Sequence, residues 1–82
     1  MLKVGNNYNE LKEYERQISQ IKILANPDNK TFEELMDVLT KYVLTYGGTY
    51  MGALHYVNGQ LMRGETLNNI IEKLRNDLCE AQ

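Results

Sequence analysis

Few side chains in this sequence could do chemistry: one histidine, His55, one cysteine, Cys79, and one close-set carboxylate group, Glu33, Glu34 and Asp37. A general base or nucleophile needs a partner that activates it. His55 has no Ser or Cys nucleophile nearby in sequence and no Asp at a recognised orienting spacing. It reads as a hydrogen-bonding residue at an interface or as a satisfied core histidine. Cys79 stands beside the apolar stripe of the last predicted helix, close to Asp77 and Glu80, which would not stabilise a thiolate; it reads as a partly buried, inert thiol. Glu33 and Asp37 share a helix face at i and i+4, as a magnesium site would ask. A second acidic motif on a facing helix is needed as well, and Glu65, Glu72 and Asp77 do not compose one. These grounds assign no catalytic residue, no metal site and no cofactor, and the chain reads as a non-enzyme.

Recognition is the chemistry left. Residues 42–62, YVLTYGGTYMGALHYVNGQLM, contain no Lys, Arg, Asp or Glu. At about 100° per residue, Tyr42, Val43, Tyr46, Tyr50, Ala53, Leu54, Val57 and Leu61 follow one face, and Gly48, Gly52, His55 and Gly59 fall on the other. A surface helix turns charge outward, and one without a charged face is buried all round or bound to something. Glycines four apart, Gly48 and Gly52, let another backbone come close. Gly48, Gly52, His55 and Gly59 are therefore the expected contact with a partner or with another copy of the chain. An alternative set is Tyr46, Tyr50, Tyr56 and Arg63. Tyr offers a flat face and a hydrogen-bonding tip, so the tyrosines could hold the base of a nucleotide-like molecule between subunits while Arg63, or Lys41, meets its phosphate. Tyr42, Tyr46 and Tyr50 taken singly also suit the core, since all three lie on the apolar stripe.

Helices must position these residues. Asn7 and Glu10 have capping-box spacing, and Leu11, Tyr14, Ile18, Ile21 and Ala25, with Leu24, form a stripe, which predicts a helix over 7–25. Pro27 stops it at Asn26. Thr31 and Glu34 form a second capping box, and Phe32, Leu35, Met36, Leu39, Tyr42, Val43 and Tyr46 carry the helix over 31–46. The same phase continues through Gly47–Gly48, predicting a kink or short break before a segment over 49–62. Asn58–Gly59 or Arg63–Gly64 closes that segment. Leu67, Ile70, Ile71, Leu74 and Leu78 predict a final helix over 65–80. The expected fold is all-α, a small three- or four-helix bundle with a Gly-kinked central helix. The alternative is α+β, with strands at 42–46 and 49–57 around a Gly47–Gly48 hairpin turn. The helical spacing holds over the whole stretch and the alternation only in short pieces, which favours the bundle.

Size and charge exclude other classes. Eighty-two residues form one domain, 1–82, and a chain so short buries only roughly 60% of its unfolded surface. One cysteine forbids an internal disulfide, so assembly into a homo-oligomer is the remaining support for a thin core. A net charge of −2 gives no footprint for nucleic acid, and 42–62 holds no cation to grip phosphate or guanine. That stretch, with its glycines, tyrosines, His55, Asn58 and Gln60, is too polar for lipid. The start, MLKVGNNYNE, has no apolar run and is no secretory signal, which places the chain in the cytoplasm. Frequent Asn, Lys, Ile and Tyr and absent Trp accompany AT-rich genomes, including those of many phages and mobile elements. The expected function is a small binding module that regulates or inhibits a partner protein by covering its surface, as phage accessory proteins do. The alternative is an oligomer that sequesters a nucleotide-like small molecule.

Overall fold

The structure, a computed structural model, describes the backbone of residues 3–81 and the side chains of residues 9–79. It contains four helices, α1 (Lys3–Ala25), α2 (Asn29–Tyr46), α3 (Tyr50–Met62) and α4 (Leu67–Ala81). No strand occurs among the described residues, which overturns the hairpin alternative: 42–46 complete α2 and 50–57 lie in α3. The three- and four-residue spacing prevails over the strand preference of Tyr, Val and Thr because only a helix delivers Leu54 and Val57 to the core together.

Several boundaries differ from the sequence expectation. The first helix begins at Lys3, so the spacing of Asn7 and Glu10 falls inside it and does not mark its start; the Asn7 side chain lies outside the described ones. Its end is as expected, with Asn26 in the left-handed region at φ 46° and donating its N–H to the Lys22 carbonyl at 2.8 Å. Asn tolerates that conformation, and Pro27 prevents the helix from resuming. The second helix is capped by Asp28 and not by Thr31: Asp28 Oδ1 accepts the Thr31 N–H at 2.8 Å. Hydrogen bonding from Thr31 holds the Asp28 carboxyl below the usual carboxylate range. A carboxylate accepts more strongly than a hydroxyl, so of two cap-type residues three apart the charged one takes the position.

The central helix is broken and not kinked. Gly47 and Gly48 adopt φ 87° and 90°, a region that L side chains rarely enter, and Gly47 N–H ends α2 on the Val43 carbonyl at 2.8 Å. Thr49 then caps α3, its Oγ1 accepting the Gly52 N–H at 2.9 Å. At the other end Arg63–Gly64 makes the turn, with Gly64 at φ 97°, while Asn58–Gly59 stays inside α3. The fourth helix opens behind Thr66, whose Oγ1 accepts the Asn69 N–H at 3.2 Å.

The α1 helix packs on α3 and α2 on α4, and α3 also meets α2 and α4. The α1/α3 pair runs in one sense, since Tyr14 meets Tyr50, Gln17 meets Asn58 and Gln20 meets Met62. The core consists of Ile21 from α1, Leu35, Val38 and Leu39 from α2, Leu54 and Val57 from α3, and Leu67, Ile70, Ile71 and Leu74 from α4. Full burial of such a side chain contributes about 1.5–3 kcal/mol. Leu11 and Leu24, read as part of the α1 stripe, are exposed. The α1 helix leans chiefly on α3, so a narrower strip of its surface is covered.

Candidate functional site

The third helix has an inner face that fixes its position and an outer face that the fold leaves open. Inside, Leu54 and Val57 are fully buried, and the polar Asn58 is buried beside them. Asn58 Nδ2 donates to Gln17 Oε1 at 2.7 Å and to the Gln17 carbonyl at 3.0 Å. Gln17 Nε2 donates in turn to Glu13 Oε2 at 2.8 Å, and Arg16 Nη2 to Glu13 Oε1 at 2.6 Å. An ionised carboxylate only accepts, so Glu13 dictates how the Gln17 amide faces, and Gln17 dictates Asn58. The Gln17 hydrogen bond, with the charges of Arg16 and His55, holds the Glu13 carboxyl below its usual range. His55 Nε2 stands 3.6 Å from Glu13 Oε2, too far for a hydrogen bond. Asn58 Oδ1 is buried without a partner among the described residues.

Sequence reasoning missed this seam because Asn58–Gly59 carries a turn signature. The available signal was that Asn58 follows Leu54 by four residues and Val57 by one, which puts it on the inward face. A buried amide pair between parallel helices rejects a shifted register, because any shift would leave both amides unpaired.

On the outer face Gly52, His55, Tyr56 and Met62 are exposed and Gly59 is half-buried. Between Tyr50 and Met62 there is no Lys, Arg, Asp or Glu. The four residues expected at a contact are thus partly gathered: Gly52, His55 and Gly59 share this side of α3, and Gly48 sits in the preceding break. Gly48 serves the backbone, through its positive φ. Gly59 does not, since a Cβ there would meet nothing within 4 Å, and at Gly52 it would meet only Thr49 Oγ1 at 3.2 Å.

At the break, α2, α3 and α4 border a half-open recess of about 350 Å³ lined by Leu39, Val43, Leu74, Tyr42 and Tyr56, with Gly47, Gly48 and Gly52 among the other lining residues. Of the alternative ligand set, Tyr56 alone lines it. The Tyr46 hydroxyl donates to the Asp77 carbonyl at 2.7 Å, and the Tyr50 hydroxyl to the Met36 carbonyl at 3.2 Å. Tyr50 also packs edge-on against Tyr14, and burial pushes the Tyr14 phenol up. Arg63 caps the far end of α3, two helical turns beyond Tyr56.

The remaining chemical candidates are placed simply. Cys79 is exposed, not partly buried, because position 79 turns away from the buried line of Ile70, Ile71 and Leu74. Asp37 pairs with Lys41 at 3.2 Å, Glu34 lies 4.0 Å from Arg75, and no group of three or more His, Cys, Asp or Glu among the described residues is arranged to hold a metal. Among these residues no helix is long and apolar enough to cross a membrane. No protein-family model matches the chain, and no curated protein and no solved structure matches it.

Proposed function

We propose that the chain is a small binding module that lays the outer face of α3 against a partner protein and acts by covering that partner's surface. The observation that carries this reading is the absence of any charged side chain on an exposed helical face, where solvent alone would favour Lys or Glu. Tyr56 and Met62, 44% and 63% exposed, supply the large side chains that anchor protein contacts. Gly52 and Gly59 keep the face low, so a partner backbone can approach it.

A second copy of the chain competes for the same face, which makes homo-oligomer and regulatory complex two occupancies of one surface. The nucleotide reading gains no support, because anion capture needs converging cations, whereas Lys41 is paired with Asp37 and Arg63 stands at the other end of α3 from the recess.

The test is affinity capture from lysate of the source cells, with light scattering on the purified chain and assay of heat-released small molecules. Wild type should hold a stoichiometric protein, or itself, and Tyr56→Glu should release it while leaving the helical spectrum intact. A monomer at high micromolar concentration that retains no protein, or that retains a stoichiometric nucleotide alone, overturns the reading.

A further inference from the structure

We infer that the recess at the α2–α3 break is a binding site for a small, neutral, planar aromatic molecule that carries a hydrogen-bond acceptor. Its volume of about 350 Å³ lies within the range of small-molecule pockets, roughly 300–1,000 Å³. Three helices build it, and two of its walls, Leu39 and Leu74, belong to the buried core, so the cavity exists before any ligand arrives. The two left-handed glycines, Gly47 and Gly48, bring bare backbone to its edge.

The lining decides the ligand's chemistry. No Lys, Arg, Asp, Glu or His lines the recess, so an ionised ligand would lose its hydration without gaining a counter-charge. Aliphatic walls and two phenol rings favour a flat, apolar body. The hydroxyls supply the polar specificity. In the same bundle the Tyr46 and Tyr50 hydroxyls donate to the carbonyls of Asp77 and Met36. Tyr42 and Tyr56 have no hydrogen-bond partner among the described residues, and these are the two tyrosines that line the recess. Both rings keep contact with solvent, Tyr56 at 44% exposure and Tyr42 half-buried, so each hydroxyl is free to exchange water for a ring nitrogen or carbonyl of a ligand. This site does not depend on the contact proposed for α3, although it shares Gly52 and Tyr56 with that face.

The experiment is an amide-shift titration of the ¹⁵N-labelled full chain with three probes: quinoline, neutral with a ring-nitrogen acceptor; indole, neutral with a donor only; and quinaldate, the anionic relative of quinoline. Quinoline should give saturable shifts centred on the Gly47, Gly48 and Gly52 amides. Indole should bind about fivefold more weakly, because it can only donate to the phenol oxygens, weak acceptors, and cannot take up their O–H, and quinaldate more weakly still. Tyr42→Phe with Tyr56→Phe should bring quinoline down to the affinity of indole without changing the spectrum of the remote α4 amides. Should that pair disturb the fold, Tyr56→Phe alone, at an exposed ring, carries the test with a smaller loss. Absent or scattered quinoline shifts up to about 10 mM, where even a site of only about −4 kcal/mol would be filled, overturn the proposal. Equal or tighter binding of quinaldate, or quinoline affinity unchanged by removal of the hydroxyls, overturns it too.

Discussion

The α3 and α4 helices each bury one side and differ in what they turn outward. The fourth helix covers Leu67, Ile70, Ile71 and Leu74 and presents Asn68, Glu72, Lys73, Arg75 and Asp77 to solvent. The third covers Leu54, Val57 and Asn58 and presents Gly52, His55, Tyr56 and Met62, with Gly59 beside them. The inner faces follow one rule, the removal of apolar surface from water. Solvation therefore accounts for the outside of α4 and not for that of α3. An interior helical glycine costs roughly 1 kcal/mol relative to alanine, and at Gly59 the fold supplies no steric reason for it.

If the inner faces are equivalent, truncating either should do comparable damage. Leu54→Ala and Ile70→Ala, at positions 0% and 1% exposed, should each lower the unfolding free energy by about 2–5 kcal/mol in urea denaturation. A large inequality would break the symmetry assumed for the two cores. Asn58→Ala comes next, at about 1–3 kcal/mol, because it leaves buried Gln17 Oε1 unpaired. The double change Gln17→Leu with Asn58→Leu should recover much of that loss, since it removes both amides. Recovery would identify the seam as a register device more than a source of stability.

The outer faces should respond oppositely to helix-favouring changes. Gly59→Ala should stabilise the isolated chain by about 0.5–1 kcal/mol, whereas Glu72→Ala on α4 should stay within about 0.5 kcal/mol of wild type. A destabilising Gly59→Ala would mean that the fold itself needs the glycine. The smallest effect is in acid. Glu13 on the α1/α3 seam is held below its ordinary range by Gln17, with Arg16 and His55. Glu65, ahead of α4, is held down by Asn69 and Lys73. A carboxyl whose folded pKa is depressed favours folding above its unfolded pKa and loses that contribution as pH falls through the folded value. Stability should therefore be flat near neutrality and decline below the ordinary carboxylate range. Glu13→Gln should flatten the decline on one side of the molecule and Glu65→Gln on the other.

The sequence was most legible where apolar spacing alone decides the outcome. Leu67, Ile70, Ile71 and Leu74 announce α4, and Leu35 and Leu39 announce α2. It was less legible where two local signals compete. Asp28 and Thr31 are both cap residues, and the stronger acceptor prevailed. Gly47–Gly48 preserves the apolar phase, which favoured continuity, yet two consecutive positive φ angles followed by a capping Thr49 make a full break. Asn58 carries a turn signature and lies buried, because its role depends on Gln17, 41 residues away, and no local pattern reveals such a pair. The uncharged outer face of α3 was visible in the sequence as a gap in the charge pattern. The recess was not, since it arises only where α4 brings Leu74 up to the residues around the break.

The most direct measurement transfers the outer charge pattern of α4 onto α3. In the double variant His55→Lys, Gly59→Glu, the partner-to-bait ratio from quantitative capture and the mass from light scattering are compared with wild type and with an α4 control, Glu72→Ala, Lys73→Ala. A contact through α3 requires the double variant to lose its partner, or its second copy, by at least roughly tenfold, the scale of a 1.4 kcal/mol loss, while unfolding at an unchanged or higher urea concentration; the α4 control should behave as wild type. Undiminished capture and unchanged mass in the α3 variant would show that its outer face is not the contact surface.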